Sequence, residues 1–462
     1  MVAHHWFLPD SGATPRPCPG NERRPITDRD TAHLLFALAL LLISAHTFGY
    51  LFARMRQPQV IGEIVGGLVL GPTLLGRIWP EAYDWLFPPD GVTHDVLGAV
   101  YQLGLLLLMF TAGTQMKGLV HRGSTKAVGA ISVAGLLVPF AAGLALFAAV
   151  DLSRFEGPAK DHTALALVFS IAIAVTSIPV ISRIMLDLGL LQTRFARIVL
   201  TVAVIEDIVL YVVLAVAIGL VSTPGTVPFG LAGQLGLDPG TGPNYLYHTL
   251  VAVGVLGLSL AWGPRAYARL LDSRANLVVK RSPIGFQLVV MLTLSAVCLL
   301  LGIVPLFGAF LAGIIVATAP GQREADAREE LSHVSLGFFI PAYFAIVGLQ
   351  LDLIGGFDLV FFLGFLAFAC IAKAVSVFAA ARLAGESPSS AVNLAVALNA
   401  RGGPGIVLAS TAYAADIVDQ RFYACLVMLS VVTSLMAGTW LERTISAPAA
   451  ADERSRAVAR PT

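Results

Sequence analysis

Charge is sparse in this sequence. Asp, Glu, Lys and Arg make up 13% of its 462 residues, about half the ~25% of an ordinary soluble domain. A net charge of +1 with no sustained basic run offers nucleic acid no surface to bind. Cysteine is scarcer still. Cys18, Cys298, Cys370 and Cys425 form no CxxC pair, and three of them sit in apolar stretches where they act as small hydrophobes. Residues 1–30 hold Pro, Arg, Asp and two histidines but no apolar core of signal-peptide length, and they read as a flexible tail. HExxH, GxSxG, GxxxxGK[ST] and any Cys/His cluster are also missing. Their absence removes the grounds for expecting an enzyme, a resident cofactor or an ATP-driven pump.

Apolar sequence is abundant instead. The chain is 56% hydrophobic with a mean hydropathy of +0.79. Stretches of roughly 20 apolar residues, each long enough for a ~30 Å hydrocarbon layer, recur from residue 31 to residue 440. The fold class that follows is an all-α polytopic membrane protein. One transmembrane domain spans 31–441 between the N-terminal tail and a short C-terminal tail at 442–462. Windows bounded by charge or by Pro and Gly predict thirteen helices, at approximately 32–52, 59–76, 97–114, 127–150, 163–182, 198–221, 246–263, 284–301, 303–319, 333–350, 357–381, 389–414 and 421–440. The second of these is rich in glycine and carries Glu63, and only "LGIVP" separates the eighth from the ninth.

Basic residues orient the set. The odd-numbered loops and the C-terminal tail hold twenty Lys and Arg, whereas the N-terminal tail and the even-numbered loops hold eight. Cytoplasmic segments carry the excess, so the N-terminus is expected outside and the C-terminus in the cytoplasm, in the cell (plasma or inner) membrane. An odd number of spans satisfies that. The loop "GPRAYARLLDSRANLVVKRSP", with five basic residues, is either a topology determinant or a cationic surface for anionic membrane lipid.

Glu206, Asp207, Lys373 and Arg401 are ionisable groups that lie deep inside the spans. Each costs ~2.5–3.5 kcal/mol at a helix centre unless paired or hydrated, and intramembrane ionisable groups usually mark an ion or proton path. The bland alternative is a static ion pair cementing two helices. From Ile198 to Leu237 no charged residue other than Glu206 and Asp207 occurs. Glu206 lies nine residues beyond Arg197, and Lys373 nine residues before Arg382, so both sit about 13.5 Å from the inner boundary.

Two spans are interrupted. In the fifth, "AVTSIPVIS" places Thr176, Ser177 and Pro179 mid-helix. In the twelfth, "LNARGGPGIV" places Gly402, Gly403 and Pro404 directly after Arg401. Thr176 is fifteen residues past Asp161 on one side, and Arg401 fifteen past Glu386 on the other. The breaks therefore enter from opposite faces and stop at similar depth. Core helices at approximately 127–221 and 357–440 form an inverted repeat with interruptions in corresponding positions, which points to a transporter binding site.

Several segments in order resemble the monovalent cation:proton antiporter-2 family, which includes Kef-type potassium exchangers and bacterial sodium/proton exchangers. They are "RQPQVIGEIVGGLVLGPTLLG", "LGLLLLMFTAGTQM", "VTSIPVISRIMLDLGLLQTRFARIVLTVAVIEDIV", "FFIPAYFAIVGLQLDL" and "LNARGGPGIVLA", within a similarity running from about residue 34 to residue 440. The resemblance implies two crossed, interrupted helices and a homodimer in which a core moves against a dimerisation domain. It also implies that Asp207 is the cation- and proton-binding carboxylate, that Thr176 belongs to the unwound stretch, and that Lys373 pairs with the first acid of the couple. Glu206 departs from the family's usual Asp, Asn or Gln at that position.

The expected function is exchange of a monovalent cation, Na+ or K+, for H+ by alternating access, with the two competing at Asp207. Adjacent helical residues point about 100° apart, so Glu206 can face Lys373 while Asp207 faces the cavity between the breaks. Thr176, carbonyls freed at the breaks and water would complete the shell of a hard cation. Arg401 either neutralises a helix C-terminal end, holds Glu206, or packs the break. Glu63 either lines a funnel or is hydrogen-bonded inside its own span. A cation channel and a sodium-coupled organic-anion symporter are the competing readings. The 22 residues after residue 440 are too few for a nucleotide-binding regulatory domain.

Overall fold

The computed structural model describes residues 27–55, 57–115, 125–178, 181, 185, 190, 193–221, 231–236, 242–273, 276–354 and 357–446. The principal helices are α1 (Asp28–Arg54), α2 (Gln59–Leu70), α3 (Val92–Thr114), α4 (Thr125–Ala149), α5 (His162–Ala174), α6 (Arg194–Leu220), α7 (Gly242–Asp272), α8 (Pro283–Leu300), α9 (Pro305–Ala317), α10 (Gln322–Val334), α11 (Ile340–Leu349), α12 (Leu359–Leu383), α13 (Pro388–Ala397), α14 (Gly402–Ala414) and α15 (Gln420–Leu441). Among the described residues the only extended pairing is an isolated bridge between Glu156 and Val418.

Ten helices among the described residues are long and apolar enough to cross a membrane, and α5 and α9 are shorter apolar helices. The thirteen expected spans map onto these ten, the two short helices and the α13–α14 pair. Local signals start the helices that carry the site. Asp161 caps α5 through Ala164 N at 2.8 Å, Thr193 caps α6 through Ala196 N at 3.1 Å, and Asp358 caps α12 through Phe361 N at 2.9 Å. Ser387 and Asp419 do the same for α13 and α15. Each cap satisfies a donor that the first helical turn leaves free.

Contacts divide the chain into two units, Met1–Leu108 with Ser332–Phe357, and Met109–Leu331 with Asp358–Thr462. In the first, α2 lies against α1 and α11 at backbone contact. A Cβ on Gly67 would fall 1.8 Å from the carbonyl oxygen of Ala345, and one on Gly348 would fall 2.0 Å from that of Ile64. The glycine content that makes the second span look irregular is what lets these helices touch, the usual device where lipid removes any hydrophobic drive for helices to associate. Thr73 reinforces the seam by donating to the Leu351 carbonyl at 2.6 Å.

The second unit holds the two triplets α4–α5–α6 and α12–α13/α14–α15. They are tied at both ends. At one, the loop after α4 joins the loop before α15: Gly157 N donates to Ile417 O at 3.0 Å and Asp419 N to Phe155 O at 2.9 Å. The rings of Phe155, Phe361, Phe365 and Phe422 close over that junction. At the other end Arg194, opening α6, pairs with Glu386 before α13 at 2.6 Å.

Candidate functional site

The site is built where α5 and the α13–α14 pair stop short and cross. Helix α5 ends at Ala174, and residues 175–177 are extended or irregular. The carbonyls at the end of a helix run out of partners within it, and here the capping residue serves one of the last four and distant residues serve the other three. Val175 N donates to Ile171 O at 3.0 Å. Arg401 Nε donates to Ala172 O at 2.9 Å, and one of its terminal nitrogens to Ile173 O at 2.8 Å. Lys373 Nζ donates to Ala174 O. Two buried cations thus sit on the negative end of α5, where the helix dipole favours them.

The opposite break is wired as completely. Thr176 Oγ1 donates to Leu398 O at 2.5 Å, and Ser177 N to Ala400 O at 2.6 Å. Asn399 Nδ2 reaches Ala395 O at 3.2 Å and Cys370 O at 3.3 Å. Gly402 turns the chain at a φ of +36°, a conformation that favours a residue without a side chain. Helix α14 then begins with Gly402 and Gly403, with Pro404 in its first turn, where a missing N–H costs nothing. The hydroxyls of Thr433 and Ser434 on α15 accept from Arg401 N at 3.3 Å and Gly402 N at 3.1 Å.

Glu206 and Lys373 meet between the two triplets. Lys373 Nζ is 2.6 Å from Glu206 Oε1, and neither side chain has any exposure. The ammonium's other two protons go to Ala174 O and to Gly135 O, the latter at 2.8 Å. Arg401 is equally saturated: its five N–H groups reach Ala172 O, Ile173 O, Ala369 O at 3.0 Å, Asn399 O at 3.0 Å and Asn399 Oδ1 at 3.1 Å. Neither cation has a proton left for another group.

The carboxylates are the reverse. Both oxygens of Asp207 and Oε2 of Glu206 are buried with no hydrogen-bond donor from the described protein. Thr176 approaches Glu206, but its single hydroxyl proton is on Leu398 O. Its lone pairs remain, so Thr176 offers the acids an acceptor and not a donor. A buried carboxylate in such a setting is strongly destabilised unless a proton or a metal ion joins it. Among the described residues none donates a hydrogen bond to the Asp207 carboxylate.

The sequence-derived residues divide accordingly. Glu206 pairs with Lys373 directly, Lys373, Thr176, Ser177 and Arg401 each hold carbonyls at one of the breaks, Gly402 is held by Ser434, and Asp207 adjoins Glu206 on α6. Pro179 lies outside the described residues. The breaks differ from expectation in one respect: the carbonyls of Ala172, Ile173, Ala174, Leu398, Asn399 and Ala400 are engaged by Arg401, Lys373, Thr176 and Ser177 rather than standing open for an ion. Arg401 lies on two carbonyls at the end of α5, on Ala369 O and on Asn399. Glu63, in the other unit, is buried beside Gly49, and its Oε2 has no donor, so the hydrogen bond expected inside its span is missing on that oxygen. Asn399, Thr433, Ser434 and Gly135 went unnoticed in the sequence. Asn399 stands two residues before Arg401, and Thr433–Ser434 is a polar pair in an apolar span, which are the signals that could have found them.

A family profile described as sodium/hydrogen exchanger, transmembrane, matches residues 39–447. Cation/H(+) antiporter 20 of Arabidopsis thaliana is 29% identical over 413 residues, covering 87% of this chain and 47% of its own length. The Na(+)/H(+)-K(+) antiporter GerN of Bacillus cereus is 24% identical over 416 residues, covering 89% of this chain and 96% of its own. The chain spans about half the length of the first plant and yeast relatives it matches. In structure it resembles the sodium proton antiporter MjNhaP1 of Methanocaldococcus jannaschii, with a TM-score of 0.60 at 15% identity over 89% of this chain and 96% of that one. At that identity the likeness speaks for the fold.

Proposed function

The chain belongs to the sodium/hydrogen exchanger transmembrane family, and we propose that it exchanges a monovalent cation, Na+ or K+, for H+ by competition at Asp207. The observation that carries this reading is a fully buried carboxylate with neither oxygen hydrogen-bonded, next to an acid whose charge is already matched by Lys373. Glu206 and Lys373 fix the frame. Asp207 holds either a proton or the ion, with a Thr176 lone pair and water completing an ion's shell. Unloaded, Asp207 would carry a naked charge through an apolar seal, which is costly; loaded with either partner it can move. That difference couples the two flows, in a homodimer whose core helices carry the site between faces, with the N-terminus outside.

The test is transport by the purified full chain in liposomes, under imposed Na+, K+ and pH gradients with the membrane potential clamped. Asp207→Asn is expected to lower cation-driven proton movement at least about a hundredfold, because the amide binds neither partner in exchange for the other. Retained exchange in that variant, or current without proton coupling in the wild type, overturns the reading. Competition also fixes a sign. A tenfold rise in cation displaces protons, so the half-maximal pH of exchange falls, by about one unit for one-to-one competition. A half-maximal pH independent of cation concentration contradicts a shared site.

A further inference from the structure

Beside the crossing, between α12, the end of α13 and α15, lies a cavity of about 230 Å³ bordered by Cys370, Ala374, Val396, Asn399, Thr433 and Met436. At its mouth stand aliphatic side chains that nothing covers: Ile371 is 62% exposed and Met436 52%. Its depth is fixed by helix α12. Cys370 is twelve residues after the capping Asp358 and twelve before Arg382, about 18 Å from each charged end. An opening there faces the middle of a ~30 Å hydrocarbon layer, out of reach of water and headgroups.

The amide and hydroxyl donors on its floor are already engaged. Asn399 Nδ2 donates to the carbonyls of Cys370 and Ala395, and its Oδ1 accepts from Arg401. Thr433 Oγ1 donates to Leu429 O at 2.7 Å and accepts from Arg401 N. A polar or charged ligand would lose its own solvation there and gain no free donor. An apolar chain already dissolved in the surrounding layer loses nothing. Because lipid is as apolar as the cavity, its gain comes from dispersion contacts that a void would forfeit.

We propose that this cavity binds the terminal part of a membrane-lipid acyl chain. The occupant rests on Asn399, which holds Arg401 against the carbonyls capping α5, and on Cys370, one helical turn before Lys373. A filled cavity therefore stiffens the α13–α14 break from its lipid side, whichever ion the protein carries.

The experiment uses the full chain reconstituted in phospholipid vesicles doped with a photoreactive phospholipid, with labelled peptides mapped by mass spectrometry. One probe carries a diazirine at the end of its acyl chain, the other next to the headgroup. The chain-end probe is expected to label peptides bearing Cys370 and Met436 at least about fivefold more than the peptide bearing Leu292, a lipid-exposed residue in the middle of α8. The headgroup-proximal probe should show no such preference. Ala374→Phe, which fills the space, should lower labelling at Cys370 and Met436 about fivefold and leave Leu292 unchanged. Equal labelling of the three peptides in the wild type overturns the proposal, as does undiminished labelling in a folded Ala374→Phe protein. The wild-type comparison stands by itself if Ala374→Phe does not fold.

Discussion

Lys373 and Arg401 have their hydrogen-bonding capacity filled, whereas Asp207 has none of its own filled. Removing a saturated cation leaves its partners exposed to a low-dielectric interior. Lys373→Met is expected to destabilise the protein by about 3–5 kcal/mol, because Glu206 is left as an uncompensated buried charge. Adding Glu206→Leu should recover a large part of that loss, though Gly135 O and Ala174 O remain unpaired. Thermal unfolding of the two variants in detergent measures both steps, and a double variant no more stable than Lys373→Met would show that the pair contributes through packing alone. Arg401→Lys keeps the charge but replaces five donors in a fixed fork by three on a flexible stem. It should cost about 2 kcal/mol or more, since at least two of the carbonyls at the crossing lose their donor. A melting curve unchanged from the wild type would reject the capping role of the guanidinium.

The interrupted helices work as elements because each broken end is met by another element's side chains. Helix α5 needs Arg401 from the opposite break and Lys373 from α12, while the start of α14 needs Thr433 and Ser434 from α15. No single helix here is complete without a second. The same dependence appears in the other unit, where α2 and α11 touch through glycine. Gly67→Ala puts a methyl group 1.8 Å from a backbone oxygen that has no flexible end to move, and should destabilise by about 1–3 kcal/mol. Gly364→Ala on α12 meets nothing within 4 Å, so it should be neutral or stabilising by up to ~1 kcal/mol through helix propensity. Unfolding temperatures of the two variants side by side check the contrast; similar losses would mean that glycine at 67 is not there for close approach.

Over the whole molecule, the distribution of basic residues makes a claim that transport assays cannot test. Twenty of the thirty Lys and Arg fall in segments assigned to the cytoplasmic side, and those charges resist translocation. Alkaline phosphatase fused after Asp238 should be active, being exported, and fused after Lys280 inactive. The reverse pattern would invert the protein and with it the direction in which each break opens.

The sequence by itself determined the fold class, the two interruptions and the level shared by Glu206 and Lys373. All of these follow from one-dimensional quantities: hydropathy over a window, helix rise per residue, and the inability of Pro and Gly to continue a helix. It also singled out the Glu206–Asp207 couple, because two carboxylates in forty residues without another charge stand out without any coordinates, and the family resemblance is what marks Asp207 as the carrier of the two. Only the tertiary structure decided which carbonyl each cation takes, that Asn399, Thr433 and Ser434 belong to the crossing, and that the freed backbone groups are held by the protein's own side chains. Those choices depend on which residues 200 or more positions apart come within 3 Å, as Arg401 does with Ala172, and no local pattern encodes such a meeting.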